Sequence, residues 1–321
     1  MRTSAQWRKR MGKLAVDSTR PPGTKSRHTD LAHTIQCQMH AFLEELPTEF
    51  FPASVVSVSP SLSSSCSQSR KFSSQSAARF FLDIFSGASM PVSTAVQDLA
   101  GDRVEPVDLI HGLDLLDDNT FESLLRLASS GRIGAALAAP YCCKHSRATL
   151  RPNGPAPVRT PEFLDGLPSN TTQQQLAVQE SSTIHDRSRI LLSAVDRHAG
   201  LVILENPSTS MTWDDPLMYE WVHAVAPYAA QACACQFDKD WAKAWMFVSN
   251  RPAISHLARS CPHPAGTHEP IVGVRLPDGT FKSRITAEYP ALLAQALASI
   301  IRPFLTSGHQ VLQVDDWQSL A

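Results

Sequence analysis

Phe80 to Phe85 is apolar except for Asp83, and the run stops at once in Ser86-Gly87-Ala88-Ser89. A continuous apolar segment ended by small residues predicts a buried parallel strand running into a tight turn. Strands of that kind belong to α/β proteins, with helices covering the sheet. The turn after the first strand is where backbone can approach a nucleotide-like ligand, and Gly87 has no side chain to obstruct it. On this segment alone, any buried strand followed by any turn fits the pattern. The intervals at which later segments follow narrow the choice.

Pro91 to Leu99 has helix-forming potential and ends near Gly101. Val104 to Ile110 predicts a second, short strand, made imperfect by Pro106. Asp108 stands where such a fold could set an acid against a ribose. Asp114 and Asp117-Asp118-Asn119 suit a helix N-terminus, and Phe121 to Ser130 follows as an amphipathic helix stopped by Gly131. Ile133 to Ala139 is another apolar strand, running into Pro140-Tyr141-Cys142-Cys143. Arg151 to Ser182, rich in Pro, Gly, Gln, Asn and Thr, predicts an extended surface loop, with helical spacing returning from Ser188 to His198. Leu201 to Leu204 is a strand ending in Glu205-Asn206-Pro207. A helix is expected over Pro216 to Ala230, a strand over Trp245 to Val248, and a strongly apolar helix over Tyr289 to Ile301. The alternation predicts a doubly wound α/β sheet.

Before this domain, expected over residues 77–310, the chain reads as an arm. Residues up to Arg27 are basic and polar, a helix is plausible from Asp30 to Leu46, and Ser54 to Ser76 is too poor in apolar residues to order itself. Residues 311–321 read as a tail. With 43% hydrophobic residues the chain can build a sizeable core, and its net charge of -1 argues against a protein that coats nucleic acid broadly, though not against a local basic groove. No apolar run approaches a membrane span, so no membrane partner is expected. The basic start is not followed by an apolar secretory segment, and the seven cysteines are scattered rather than framed for disulfides. A nuclear or cytoplasmic, non-secreted protein is the expectation. Cys261-Pro262-His263 with His268 could supply three zinc ligands, Cys233 or Cys235 completing a tetrahedron. The spacing is less specific than paired Cys-x-x-Cys knuckles, and a proline-flanked loop with incidental histidines is the preferred account, so no metal is expected.

Three strand ends carry residues capable of chemistry: Gly87, Cys142 and Glu205. Ligands gather at the carboxyl ends of strands in open α/β sheets, so the three are expected to converge. In this order the segments resemble the cytosine-C5 DNA methyltransferases. Phe81 to Gly87, FLDIFSG, is similar to their cofactor-binding first motif. Pro140-Tyr141-Cys142, with Ser146 beyond, resembles their Pro-Cys nucleophile loop. Glu205-Asn206-Pro207 resembles their Glu-Asn-Val motif, and Ala287 to Ala298 their final helix. The resemblance covers roughly residues 79–301 and extends, more narrowly, to divergent members associated with eukaryotic retroelements. Departures are also plain. Ala88 and Ser89 stand where the family has further glycines, Tyr141 replaces a proline, and Arg284 is only a weak substitute for the Gln-Arg-x-Arg motif. The stretch from Pro207 to Tyr289 is short for a target-recognition domain.

The resemblance implies a Rossmann-like S-adenosylmethionine-dependent methyltransferase fold behind a disordered N-terminal arm, with DNA as partner and RNA compatible. It implies S-adenosylmethionine at Asp83, Phe85, Ser86 and Gly87, its ribose at Asp108 and its adenine at Asp114. Cys142 would be the nucleophile, activated by Arg147 or Lys144, and Glu205 would hold the cytosine N3. Ser146, Arg147, Asn206 and Pro207 would contact substrate. The alternative is a catalytically inactive methyltransferase-like module, a retroelement remnant, that binds nucleic acid or protein.

Overall fold

The computed structural model describes residues 79–305, apart from positions 102, 152, 153, 242, 265 and 285. The helix expected over Asp30–Leu46, the serine-rich linker and the tail lie outside the described residues. Six strands form one mixed sheet in the order β2-β1-β3-β4-β6-β5. They are β1 (Phe80–Ile84), β2 (Val104–Val107), β3 (Ile133–Ala138), β4 (Leu201–Pro207), β5 (Tyr228–Cys233) and β6 (Ala244–Ser249). The first four pair in parallel, while β6 runs antiparallel to both β4 and β5. This is an α/β architecture compatible with a Rossmann-like arrangement. Pro106 is tolerated because β2 is an edge strand.

Among the described residues five α-helices cover the sheet: α1 (Pro91–Ala100), α2 (Asp118–Ala128), α3 (Thr172–Arg197), α4 (Pro216–Ala224) and α5 (Ala291–Ile301). Successive strand residues point to opposite faces, and two cores result. Phe81, Leu137 and Ile203 pack with Val92 and Val96 of α1 and Leu293 and Leu297 of α5. Leu82, Ala136 and Leu204 pack instead with Leu124 of α2, Leu191 of α3 and Trp221 of α4. The central strands therefore read as uninterrupted apolar runs. No helix among the described residues is long and apolar enough to cross a membrane.

Two expectations are corrected. The segment Arg151 to Ser182 is a loop only in its first part, because α3 begins at Thr172. Its start is a capping box: the Thr171 hydroxyl accepts from the Gln174 amide (3.3 Å), and the Gln174 side chain accepts from the Thr171 amide (2.8 Å). The helix expected to reach Ala230 ends at Ala224, since Pro227 cannot donate into it, and the chain continues as β5.

Buried Asn250 ties β4 to the end of α3. Its side chain accepts from the Val202 amide (3.0 Å) and donates to the Gly200 carbonyl (2.8 Å) and the Asp196 carboxylate (2.7 Å). Replacing it strands partners that are buried, each at a cost of about 1–3 kcal/mol. Asn250→Ala is expected to lower stability by roughly 2–3 kcal/mol, read as a reduced urea midpoint at unchanged slope.

Candidate active site

The strand order reverses between β1 and β3, and a cleft at such a switch point opens at the carboxyl ends of the strands. Leaving β1, the chain takes left-handed backbone at Phe85 (φ 68°) and Gly87 (φ 71°). For Phe85 that conformation is uncommon and costs energy, which the surroundings must offset. The Phe85 amide donates to the Val107 carbonyl (2.7 Å), and the Gly87 amide to Asp108 Oδ2 (3.1 Å). Asp108 Oδ1 accepts from the Ile110 amide (3.1 Å) and the Tyr141 hydroxyl (3.0 Å), and the Phe85 and Tyr141 rings meet edge to face at 5.3 Å. Burial, then the hydrogen bond to Asp108 and the charges of Asp108 and Asp114, push the Tyr141 phenol upward. Asp114 also accepts from the Leu116 amide (2.8 Å).

Beneath this turn Asp83 is buried and accepts from the Ser93 hydroxyl at 2.6 Å, so it anchors the start of α1. Burial raises its carboxyl to about 6, against the hydrogen bonds from Ser93. The Ser86 hydroxyl is buried with no hydrogen-bond partner among the described residues. A β-carbon built on Gly87 would meet no atom within 4 Å, and Ala88 and Ser89 are exposed. The turn therefore faces open space.

On the other side of the cleft, fully buried Asn206 donates from Nδ2 to the Pro140 carbonyl at 3.0 Å, fixing the loop after β3 to the end of β4. Thr212 in turn donates to Asn206 Oδ1 (3.3 Å). This link brings Cys142 into the electrostatic range of Glu205. Glu205 is 7% exposed; its Oε2 accepts from the Tyr289 hydroxyl (2.8 Å), and its Oε1 has no partner among the described residues. Burial raises Glu205 to about 7, opposed by the Lys243 charge and the Tyr289 hydrogen bond. Burial also pushes the Cys142 thiol up to about 11; Lys243 draws it down and Glu205 pushes it further up. Lys243 itself donates to the Thr286 carbonyl, and burial lowers its pKa against the pull of Glu205 and Cys142.

Gly87, Cys142 and Glu205 thus lie on the same strand-end side, as the sequence implies. The cation whose charge acts on the thiol is one that the sequence alone does not name. Arg147 forms an ion pair with Asp214, and Lys243 acts on Cys142 instead. Its role was hidden because β6 runs antiparallel to β4: the start of β6, not its end, reaches the ligand side. Lys243 is then two residues from buried Trp245 and on the same face as Phe247, which pairs with Glu205. Tyr289, expected as the start of the terminal helix, precedes it and supplies a site hydroxyl.

Ser146, Arg147 and Pro207 are engaged in shaping the loop. Ser146 caps the turn Arg147–Leu150 through the Ala148 amide (3.2 Å), and the Pro207 carbonyl accepts from Trp213 Nε1 (2.9 Å). A polar floor missed in the sequence lies below: buried His145 contacts Ser181 Oγ (3.2 Å) and the guanidinium of buried Arg159, and its ring lies 4.2 Å from that of His185. Burial, then the charges of His185 and Arg159, hold His145 neutral.

No family model and no curated protein matches the chain. The geometry above therefore carries the functional reading.

Two outcomes follow for the buried trio. Glu205 has a higher pKa folded than its ordinary 4.5, so the stability this group contributes is fully present below pH 4.5 and is lost as pH rises through about 7. Its loss should reach up to about 3 kcal/mol and be absent in Glu205→Gln, leaving the smaller loss of the same sign that Asp83, raised to about 6, contributes, read as denaturation midpoints between pH 4.5 and 8. Alkylation of Cys142, followed on its peptide by mass spectrometry at pH 8, should slow in Lys243→Met and quicken in Glu205→Gln.

Proposed function

We propose that this chain has a Rossmann-like methyltransferase fold and is a divergent S-adenosylmethionine-dependent cytosine-C5 DNA methyltransferase-like protein acting through a covalent Cys142 adduct. One observation carries the reading: a buried carboxyl with an unsatisfied Oε1, Glu205, is coupled to the Cys142 thiol across the ends of two adjacent parallel strands. A buried polar atom without a partner calls for a reason, and a hydrogen bond to a ligand is the simplest.

The open turn at Gly87 suits a cofactor, with the Phe85 and Tyr141 rings beside it. S-adenosylmethionine, when bound, supplies an electrophilic methyl group. Cytosine C5 is too weak a nucleophile to take that group unaided. Addition of the Cys142 thiolate to C6 forms a sulfur–carbon bond and shifts the ring electrons, so that C5 becomes an enamine carbon. Glu205, near half-protonated at neutral pH, gives its proton to N3 and stabilises that adduct. After methylation the C5 proton passes to water, the carbon–sulfur bond breaks to expel the thiolate, and N3 returns its proton to Glu205, which restores the ring. Lys243 draws the Cys142 thiol down against the burial that raises it, which lowers the cost of forming the thiolate. The base reaches Cys142 only when flipped from its duplex.

A specific feature favours the second reading, an inactive module binding nucleic acid or protein. Asp108, the acid suited to a ribose, already serves the Gly87 amide, the Ile110 amide and the Tyr141 hydroxyl.

Full-length protein incubated with S-adenosylmethionine and duplex DNA containing 5-fluorocytosine should form an adduct that survives denaturation. Cys142→Ala should form none, and Glu205→Gln should transfer methyl groups to ordinary DNA about 10²–10⁴-fold more slowly. An adduct undiminished in Cys142→Ala would sink the nucleophile assignment.

A further inference from the structure

Four sulfur and imidazole donors from two separate segments meet beyond the end of β5. Cys235 lies in the turn Ala234–Phe237, while Cys261, His263 and His268 belong to the irregular stretch that follows residue 257. One donor atom from each of the four lies within 4.8 Å of all the others. Cys261 Sγ is 3.6 Å from His263 Nδ1 and 3.0 Å from His268 Nε2. Zinc–sulfur bonds of about 2.3 Å and zinc–nitrogen bonds of about 2.0–2.1 Å, in a tetrahedron, separate donors by roughly 3.3–3.8 Å. The observed donors need to move by about 1 Å to close that shell.

The imidazole of His268 is already oriented for such a bond. Its Nδ1 meets the Asp240 carbonyl at 3.1 Å. A carbonyl only accepts, so Nδ1 carries the proton and Nε2 keeps its lone pair toward the cluster. A backbone carbonyl behind a ligating histidine is the usual outer support of a metal site. Cys233, whose Sγ is 3.6 Å from that of Cys235, is buried and stands outside the group of four.

The surrounding chain gives a reason for a metal. Among the described residues from Ala258 to Ser283 none is buried. A segment this long cannot offset its ordering entropy through apolar burial, and small coreless regions are held by metals or disulfides. Two thiols and two imidazoles in a compact set suit zinc, and four protein ligands leave no position for substrate.

We propose that Cys235, Cys261, His263 and His268 bind one zinc ion in a closed structural site that fastens residues 258–283 to the end of β5. The site is independent of the chemistry at Cys142. Full-length protein, purified without immobilised metal and kept reduced, is incubated with one equivalent of zinc, desalted and analysed for metal. One zinc per chain is expected in wild type and in Cys143→Ser, with loss in Cys261→Ser and in His268→Ala. Cobalt substituted into wild type gives a second readout that needs no variant to fold: d–d bands of tetrahedral intensity and a thiolate-to-cobalt charge-transfer band. Folded wild type that holds no zinc, zinc retained in Cys261→Ser, or an octahedral cobalt spectrum without thiolate bands would each overturn the proposal.

Discussion

A buried hydrogen bond between the ends of two strands is the first link holding the two halves of the candidate site together. Asn206, at the end of β4 and without solvent exposure, donates to the Pro140 carbonyl in the loop that leaves β3. Parallel strands fix only the register of their own residues, here Ala138 against Leu204, and leave the following loop free to swing. The Asn206 amide, the Met211 amide donating to the His145 carbonyl (2.7 Å) and the Arg147–Asp214 ion pair together remove that freedom, and Thr212 fixes the Asn206 amide in turn. Everything chemical about Cys142 depends on where this loop is held.

Once held there, the thiol enters a contest of charges in a place with little water. Desolvation raises both Glu205 and Cys142, and the Glu205 charge raises the thiol further. A cation is required to keep the pair usable, and Lys243 is the one whose charge reaches both. Burial lowers its own pKa, and the charges of Glu205 and Cys142 pull it back up. A neutral Glu205 relieves the thiol, which is the protonation state that donation to a base nitrogen needs.

The sequence made the centre of the sheet readable and left its borders obscure, for physical reasons. β1, β3 and β4 lie between two helical layers, so both faces are apolar and the runs FFLDI, IGAALA and LVILENP stand out before small or polar residues. Edge strand β5, Tyr-Ala-Ala-Gln-Ala-Cys, lacks branched residues and reads as helix until Pro227 is given its weight. The first part of α3 is polar, and only Thr171 and Gln174 announce it. Cys142 and Glu205 were legible because the first follows a legible strand and the second lies near the end of another. Lys243 was not, because strand direction is a tertiary fact: its place on the ligand side follows from the antiparallel run of β6. The partners of Asp83 and Asp108 were equally hidden, since Ser93 and Tyr141 reach them only through the folded turns.

Central to the account is that the open turn at Gly87 receives S-adenosylmethionine beside the Cys142–Glu205 pair. Calorimetric titration of the folded full-length protein with S-adenosylmethionine tests this most directly. The account predicts saturable, one-to-one binding in the micromolar range, with Cys142→Ala binding as wild type does. No heat of binding from a sample whose circular dichroism and unfolding transition show it folded would contradict it, and would make Cys142 and Glu205 residues of an inactive module.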